Sequence, residues 1–502
     1  MKYRSFEEFF LIPLRNGLTK PKRVRGDGYK MVNMGELFKY SRMKNIPMDR
    51  VPLNEKEYLS SMVVAGDLLF ARQSLVLEGA GQCSIFIEDA EEVCFESHLI
   101  RCRLNKKIAN PLFYYYFFSS KLGKQVINAI VEQGAGAAGI RGSDLSKVLV
   151  PDIDIVAQNN IVRVVDNIDS KIELNRQINQ TLESMAQAIF QSWFVDFDPV
   201  KAKIAAREQW QILTDGERRE WLNEMLNKQA FLKTCLSELT ANGEQSASET
   251  LYLNIAAMTA ISSRNETSLA DMSTDEFAQL YKTASIFPER LVESELGEIP
   301  EGWRFDELRK IAHFSAERID LSELTLESYV STENMLENKK GITIASSLPT
   351  VKTVPKFEPG QILISNIRPY FMKIWLASFV GGRSNDVLGI NSKEPEGIQY
   401  LYNLLYQDRF FNFMMTTSKG AKMPRGDKEA IMSWICVQPT FDIKSAYSEI
   451  VEKFVEIIVN KKKENGNLEN ARDTLLPKLL SGELDVSSLT ELSDIAPTAM
   501  DV

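Results

Sequence analysis

Residues 161–193, IVRVVDNIDSKIELNRQINQTLESMAQAIFQSW, decide the fold of this chain. Taken in alternating steps of four and three, the stretch is apolar at every step but two, and its flanks are charged or polar. The ten positions are Ile161, Val165, Ile168, Ile172, Asn175, Asn179, Leu182, Ala186, Ile189 and Trp193. This spacing predicts a helix that packs along a second helix and turns its charged side to solvent.

A second stretch repeats the pattern 286 residues later, without a gap. Its ten positions are Tyr447, Val451, Phe454, Ile458, Lys461, Asn465, Leu468, Arg472, Leu475 and Leu479. Lys461 and Asn465 correspond to Asn175 and Asn179, and Arg472 is one additional polar step, matched to Ala186. Agreement over ten positions indicates an internal duplication whose two helices pair with each other.

The direction of the pair follows from what each helix carries. A globular region precedes each helix, so antiparallel packing would put the two regions at opposite ends, whereas parallel packing would put them side by side. We predict antiparallel packing about a pseudo-twofold axis near the polar steps. Asn175 should then approach Asn465, and Asn179 should approach Lys461. A buried polar layer of this kind fixes helix register at some cost in stability.

Composition places the chain among ordinary globular proteins of two or more domains. It has 502 residues, is 44% hydrophobic and 25% charged, and carries a net charge of −9, which argues against a general nucleic-acid binder. The five cysteines show no CxxC spacing and are expected to be buried thiols in a reducing compartment. We find neither a signal core nor a membrane-spanning apolar run, and expect a cytoplasmic protein.

The parts of the chain recur in order. A turn and strand at 66–71 are repeated at 359–365, an aromatic helix at 113–118 is repeated at 399–413, and a loop at 134–142 is repeated at 418–426. Strands ending at Pro151 and Pro439 close each copy. A second helix is expected at about 121–132, and the Ala-, Glu-, Lys- and Met-rich region after the first long helix should be helical, with a break near 241–243.

These patterns predict an α+β protein. It would have two similar globular domains, separated by two long antiparallel coiled-coil helices and related by a pseudo-twofold internal duplication. The predicted segments are a first domain at 1–152, a central long helix at 153–199, a helical insertion at 200–294, a second domain at 295–440, a distal long helix at 441–485 and a flexible tail at 486–502.

Three segments resemble those of the specificity subunits of type I restriction-modification systems. Residues 182–197, LESMAQAIFQSWFVDF, are similar to the central conserved segment of that family. Residues 287–303 resemble the entry to its second target-recognition domain, and residues 475–484, LLPKLLSGEL, are similar to its distal conserved segment. The resemblance spans nearly the whole chain and agrees with the duplicated order of parts.

The resemblance implies a subunit without catalytic activity. Each target-recognition domain would recognise one half of a split site in double-stranded DNA. The chain would hold two methyltransferase (modification) subunits and, through them, translocating endonuclease (restriction) subunits. The partner would methylate adenine N6 with S-adenosylmethionine, and this chain would bind no cofactor and no metal.

Catalytic alternatives find little support in the residues. The loop 134–139, GAGAAG, matches G-x-G-x-x-G, but it follows a helix and precedes a strand, whereas a dinucleotide site needs the reverse order. Residues 110–113, NPLF, superficially resemble the Asn-Pro-Pro-aromatic motif of amino-methyltransferases but lack the second proline, and Asn110-Pro111 is typical of a helix start. Two histidines, His98 and His313, cannot supply most metal sites.

Candidate DNA contacts are basic and amide side chains at repeated positions. Phosphates bind Lys, Arg and backbone donors, and base edges in the major groove bind Arg, Lys, Asn and Gln. The candidates are Lys22 and Arg23 in the basic run 20–25, Arg72 and Gln73 after the first strand, Arg141 on the first loop, Asn366, Arg368, Tyr370 and Lys373 after the matching strand, and Lys419, Lys422 and Arg425 on the matching loop. Any one of them alone is equally consistent with ordinary solvated surface. Their recurrence favours DNA binding for Arg72, Arg141, Arg368 and Arg425.

Two hypotheses therefore remain from the sequence. The chain is a DNA-specificity subunit, or it is a structural adaptor whose paired helices hold partner subunits without recognising DNA. A methyltransferase is a third and weaker alternative, which bound S-adenosylmethionine in the isolated chain would revive. Salt-dependent binding of the assembled complex to one bipartite duplex separates the first two.

Overall fold

The computed structural model describes residues 2–134, 136–239, 244–420 and 422–484. The expected tail at 486–502 and the expected helix break at 241–243 lie outside the described residues. The chain divides into two compact units, Met1–Arg176 with Lys462–Val502, and Gln177–Lys461. This division cuts through both long helices, whereas the sequence pattern divided the chain at the helix ends.

The described residues of the first unit form three sheets and one two-stranded ladder. The five-stranded sheet has the spatial order Phe10–Asn16, Leu99–Leu104, Leu68–Ala71, Cys83–Glu88 and Arg42–Lys44. A second sheet has the order Asp49–Val51, Tyr29–Val32 and Val93–Phe95, and a small sheet has the order Glu132–Gln133, Ala138–Gly139 and Gln73–Ser74. In the ladder, Lys2–Ser5 pairs with Leu149–Asp152. Its shorter α-helices are Met34–Lys39, Glu55–Ser61, Pro111–Ser119, Lys121–Asn128 and Gly142–Lys147.

The second unit repeats this plan. One four-stranded sheet has the spatial order Ala312–Phe314, Val387–Ser392, Ile362–Ser365 and Ile374–Leu376. The other has the order Arg318–Asp320, Thr353–Phe357, Gly381–Arg383 and Tyr329–Val330. In addition, Arg304–Glu307 pairs with Ile435–Gln438, and Leu291–Val292 pairs with Ile299–Pro300. Its shorter helices after the second sheet are Ile398–Leu405, Asp408–Thr416 and Lys428–Met432. In both units a fully buried four-residue strand, Leu68–Ala71 or Ile362–Ser365, lies inside the main sheet.

The duplication extends to single hydrogen bonds. The Tyr114 hydroxyl in the first unit donates to the Pro151 carbonyl at 3.1 Å, and Tyr400, 286 residues later, donates to the Val437 carbonyl in the second. Both tyrosines are buried on the aromatic helix and bind the last strand of their own domain. The same side chain therefore fixes the same two elements in each copy.

The central helix is Ile155–Phe194 and the distal helix is Phe441–Ser481. All twenty positions of the two apolar seams are buried or half-buried, which confirms the four-and-three spacing as the packing pattern. In the first unit Asp169 binds Arg472 at 2.9 Å and Asn175 binds Asn465 at 2.9 Å. Residue numbers therefore rise along the central helix where they fall along the distal helix. The antiparallel prediction is therefore confirmed.

Two predicted helix bounds were wrong. The helix expected at about 121–132 ends at Asn128, because the backbone of Glu132–Gln133 is committed to a ladder with Ala138–Gly139. The single helix expected at 399–413 is two helices that break at Tyr406–Gln407. The same break occurs in the first domain at Ser120, whose hydroxyl accepts from the Gly123 amide and caps the next helix.

The stretch that the sequence marks as a helical insertion contains, in its described part, six helices. They are Asp198–Ile212, Asp215–Lys228, Phe231–Leu239, Glu244–Ser262, Glu266–Ala270 and Thr274–Ser285. They share an apolar core of their own that includes Met225, Leu232, Leu251, Ile255 and Phe277. A buried lysine, Lys203, joins the first helix to the end of this region by donating to the Phe287 carbonyl at 2.7 Å.

Candidate nucleic-acid interface

In the second unit the backbone ties the predicted strand exit to the predicted loop. The Arg368 amide donates to the Pro424 carbonyl at 2.8 Å, and the Gly426 amide donates to the Asn366 carbonyl at 3.1 Å. Lys419 and Arg425 exchange two backbone hydrogen bonds of 2.9 Å across the loop. The bonded residues are 56 and 60 positions apart in sequence, and these hydrogen bonds bring the strand exit and the loop together.

The same arrangement occurs in the first unit. The main strand ends at Ala71, Arg72 follows it, and Gln73–Ser74 then pairs with Ala138–Gly139. The Ile140 amide donates to the Arg72 carbonyl at 3.0 Å, which brings the loop that ends at Arg141 against the strand exit. In each unit the exit of the buried central strand and the basic loop are thus joined by main-chain hydrogen bonds.

Several candidate cations on these loops already have acidic partners. Arg141 pairs with Glu132 at 2.6 Å, Arg425 pairs with Asp386 at 3.3 Å, and Lys419 binds Asp427. The hydrogen bond to Asp427 raises the pKa of Lys419 and lowers that of the carboxyl. Exposed pairs of this kind contribute little to stability, so a phosphate can replace the carboxylate.

The remaining candidates differ in whether their side chains are exposed to solvent or held by contacts within the chain. Lys373 donates to the Thr332 carbonyl at 2.8 Å, and its ammonium lies over the Phe371 ring. Tyr370 is 48% exposed and packs on Phe371, whereas the Asn366 side chain is buried. Lys422 and Gln73 are exposed on the loop and on the strand exit. Lys373 is thus occupied within the chain, while Tyr370, Lys422 and Gln73 are accessible.

The basic run near the start of the chain lies beside the same strand exit. Lys22 and Arg23 are exposed on a short 3₁₀ helix, Lys22–Val24, while Lys20 and Arg25 in the same run pair with Glu57 and Asp49 at 2.9 Å each. Just before the run, the Thr19 hydroxyl donates to Ser97 at 2.9 Å, and the next residue, His98, accepts from the Arg72 amide at 2.8 Å. These contacts link the start of the basic run to the segment that binds the backbone of Arg72.

The polar layer between the long helices is present in the first unit. Asn175 is fully buried and donates to both Asn465 and Glu464 at 2.9 Å, and Asn465 donates to the Ile172 carbonyl at 3.2 Å. Asn179, the pseudo-twofold mate of Asn465, is also buried, and Lys461 is half-buried. The approach of Asn179 to Lys461 stays a prediction.

Arg472, the extra polar step in the second seam, has a structural reason. It binds Asp169 on the central helix and Asp473 beside it, both within 2.9 Å. Arg42, from a strand of the first domain, binds Asp166 at 2.7 Å and lies 3.8 Å from Asp169. Burial alone would lower the pKa of Arg42, but the surrounding acidic groups outweigh it and the pKa is raised. The sequence signalled this cluster only through the mismatch between Arg472 and Ala186.

No catalytic centre emerges from the described residues. The last two residues of the motif at 134–139, Ala138–Gly139, form a strand that pairs with Glu132–Gln133, so the motif does not lead from a strand into a helix. Asn110 accepts from the Leu112 amide at 2.9 Å as a helix cap, and both histidines are exposed. In the part of the chain described here, no cluster of His, Cys, Asp and Glu could hold a metal ion.

Two further expectations can be compared with the structure. The five cysteines are buried and unpaired, as predicted, and burial raises the pKa of each thiol above its usual value. Among the described helices, none combines the length and the apolar character needed to cross a bilayer.

The chain is similar to known proteins. A family model described as the type I restriction modification DNA specificity domain matches residues 3–184. The specificity subunit of the type I restriction enzyme HindI from Haemophilus influenzae is 27% identical over 442 residues, which cover 84% of this chain and 86% of that one. The EcoKI specificity subunit from Escherichia coli is 25% identical over 263 residues, covering 49% and 54%. The crystal structure of a type I S subunit from M. genitalium aligns with 95% of both chains, at 14% identity and a TM-score of 0.47.

Proposed function

Because this chain belongs to the family of type I restriction-modification specificity subunits, we propose that it recognises a bipartite DNA site, one half with each unit. It performs no catalysis itself. The observation that carries the proposal is the repeated interface, in which a strand exit and a basic loop are joined by main-chain hydrogen bonds in both units. A repeated interface suits a site with two specified halves, because each copy can vary its side chains independently.

The charge of the chain is compatible with this role. The net charge is −9, and a DNA-binding role requires that exposed cations such as Lys22, Arg23 and Lys422 lie where the DNA binds. Each phosphate contact releases counterions from DNA, so specific binding should weaken steeply as salt rises. The assembled complex should bind one bipartite duplex in this salt-dependent way and prefer it over a scrambled duplex. Equal binding of both duplexes would instead favour the structural adaptor.

The partners belong to the proposal as well. Two methyltransferase subunits would bind the chain and carry the endonuclease subunits, and the methyltransferase would methylate adenine N6 with S-adenosylmethionine as the methyl donor. Because its substrate would be chromosomal DNA, we expect the complex in the cytoplasm. Native mass spectrometry of the purified complex tests the stoichiometry, with two methyltransferase copies per chain as the expected mass.

Division of labour between the units gives a separate prediction. Replacing Lys422 and Arg425 together with Ala should alter recognition of one half-site, and Arg141→Ala should alter recognition of the other. A lost base contact would cost roughly 1–3 kcal/mol and relax one position, whereas a lost phosphate contact would weaken all sequences alike. The measurement is binding of the assembled complex to duplexes in which one half-site at a time is scrambled. If both variants affected the same half, division of labour would be wrong.

A further inference from the structure

The two arginines at the repeated strand exits differ from the other arginines of the chain. Among the described residues, seven arginines make no ion pair, hydrogen bond or aromatic contact through their side chains: Arg15, Arg23, Arg72, Arg163, Arg219, Arg264 and Arg368. Five of these are exposed, so water solvates their charge. Arg72 and Arg368 are half-buried, and they occupy the strand exits of the first and the second unit.

Half-burial without a partner is unfavourable for a guanidinium group. The group loses part of its hydration and gains no hydrogen bond in return. In Arg368 the Nε atom is inaccessible to solvent and has no hydrogen-bond partner in the described part of the chain. In the second unit, an acceptor from outside the chain would satisfy this buried donor.

The backbone holds both arginines in place. The carbonyl of Arg72 accepts from Ile140 at 3.0 Å and its amide donates to His98 at 2.8 Å, while the Arg368 amide donates to Pro424 at 2.8 Å. Arg368 also has a φ of 50°, a left-handed conformation that is strained for a residue with a side chain. Such strain persists where the surrounding contacts fix a residue for binding.

The neighbouring cations decide what kind of acceptor fits. Arg141 and Arg425 lie on the adjoining loops and are paired with Glu132 and Asp386, which makes them exposed, replaceable contacts suited to phosphates. Arg72 and Arg368 have no carboxylate to displace and are already positioned by the main chain. A positioned arginine fork matches the O6 and N7 acceptors of guanine in the major groove, the commonest specific base contact.

We propose that Arg72 and Arg368 each recognise one guanine, Arg72 in the half-site of the first unit and Arg368 in that of the second. Arg141 and Arg425, on the adjoining loops, contribute weaker and replaceable contacts to the same two half-sites. This inference rests on the proposed function and deepens it by assigning the base-recognising residue of each half-site and the base that it binds.

Lysine substitutions test the proposal, because lysine keeps the charge but lacks the planar fork. The assembled complex with Arg72→Lys or Arg368→Lys is titrated with the wild-type site and with duplexes carrying every single-base change. Each variant should lose roughly 10- to 100-fold in affinity for the wild-type site and lose its preference at one G·C pair in its own half. The salt dependence of binding should stay as in the wild-type complex, since no charge is removed.

Two further variants separate folding from recognition. Arg368→Gly suits the left-handed φ, so the second unit should keep its fold while recognition of the same G·C pair is lost. Arg219→Ala removes an exposed, unpaired charge from the helical region and is the matched control, expected to leave the base preference unchanged.

The outcomes are distinguishable. Wild-type preference in Arg72→Lys or Arg368→Lys, or a uniform weakening over all duplexes, would overturn the assignment of that arginine to a base. In either case the wild-type complex would still bind its bipartite site and the proposed function would stand. A wild-type complex without any bipartite preference would instead refute the proposed function itself.

Discussion

Adding two residues to each long helix should prevent assembly of the complex. The insertions are placed between Gln177 and Ile178 and between Lys463 and Glu464, within two residues of the boundaries between the units. Two residues turn a helix by about half a turn, so the apolar seam faces the partner helix on one side of the insertion and turns away from it on the other. Size-exclusion chromatography with the methyltransferase should show no complex.

Adding four residues at the same two points is the matched control. Four residues lengthen each helix by about 6 Å and nearly preserve the facing side. The complex should then assemble, keep both half-site sequences, and prefer a spacer about two base pairs longer, because B-DNA rises about 3.4 Å per pair. Methylation of a duplex series with graded spacers measures this shift. A lengthened complex that still chose the original spacer would show that the helices do not set it.

Phe194→Ala should destabilise the second unit by about 3–5 kcal/mol. Phe194 is 1% exposed at the end of the central helix, and its ring lies 4.8 Å from that of Tyr400, 5.2 Å from that of Tyr447 and 5.8 Å from that of Trp303. The substitution therefore removes a contact that joins the central helix, the distal helix and the second domain. The free energy of unfolding, measured by urea titration of the purified complex, should fall accordingly.

Phe441→Ala provides the control in the same unit. Phe441 begins the distal helix and is 48% exposed, so removing its ring should change the free energy of unfolding by no more than about 0.5 kcal/mol. If Phe194→Ala were as mild as Phe441→Ala, the aromatic cluster would not be what holds the second domain to the helices.

The long helices were the most predictable part of the structure. Their seams repeat over ten positions, and burial on a helix face depends on local spacing alone. The match between Asn175 and Asn465 followed because a pseudo-twofold axis exchanges the two helices, which fixes one partner for each position. Helix ends were less predictable, since the end at Asn128 depends on a ladder formed by residues outside the helix.

The sequence pointed to the strand exits and the loops separately, because basic residues recur at both places in each half. That main-chain hydrogen bonds join the two places in each unit is seen only in the structure. The pairing of Arg425 with Asp386 could not be predicted, because the two residues are 39 positions apart on separate elements. From the sequence alone, Arg72 cannot be distinguished from Arg141, or Arg368 from Arg425. The structure shows that Arg141 and Arg425 are each paired with a carboxylate.

Mapping of N6-methyladenine across a genome that carries this chain and its methyltransferase tests the central claim most directly. The account predicts one motif with two specified halves and a spacer of any sequence, their centres about one duplex turn, roughly 34–36 Å, apart. Deleting the chain should abolish methylation at that motif. A continuous motif without a spacer, or methylation that persists after the deletion, would contradict the account.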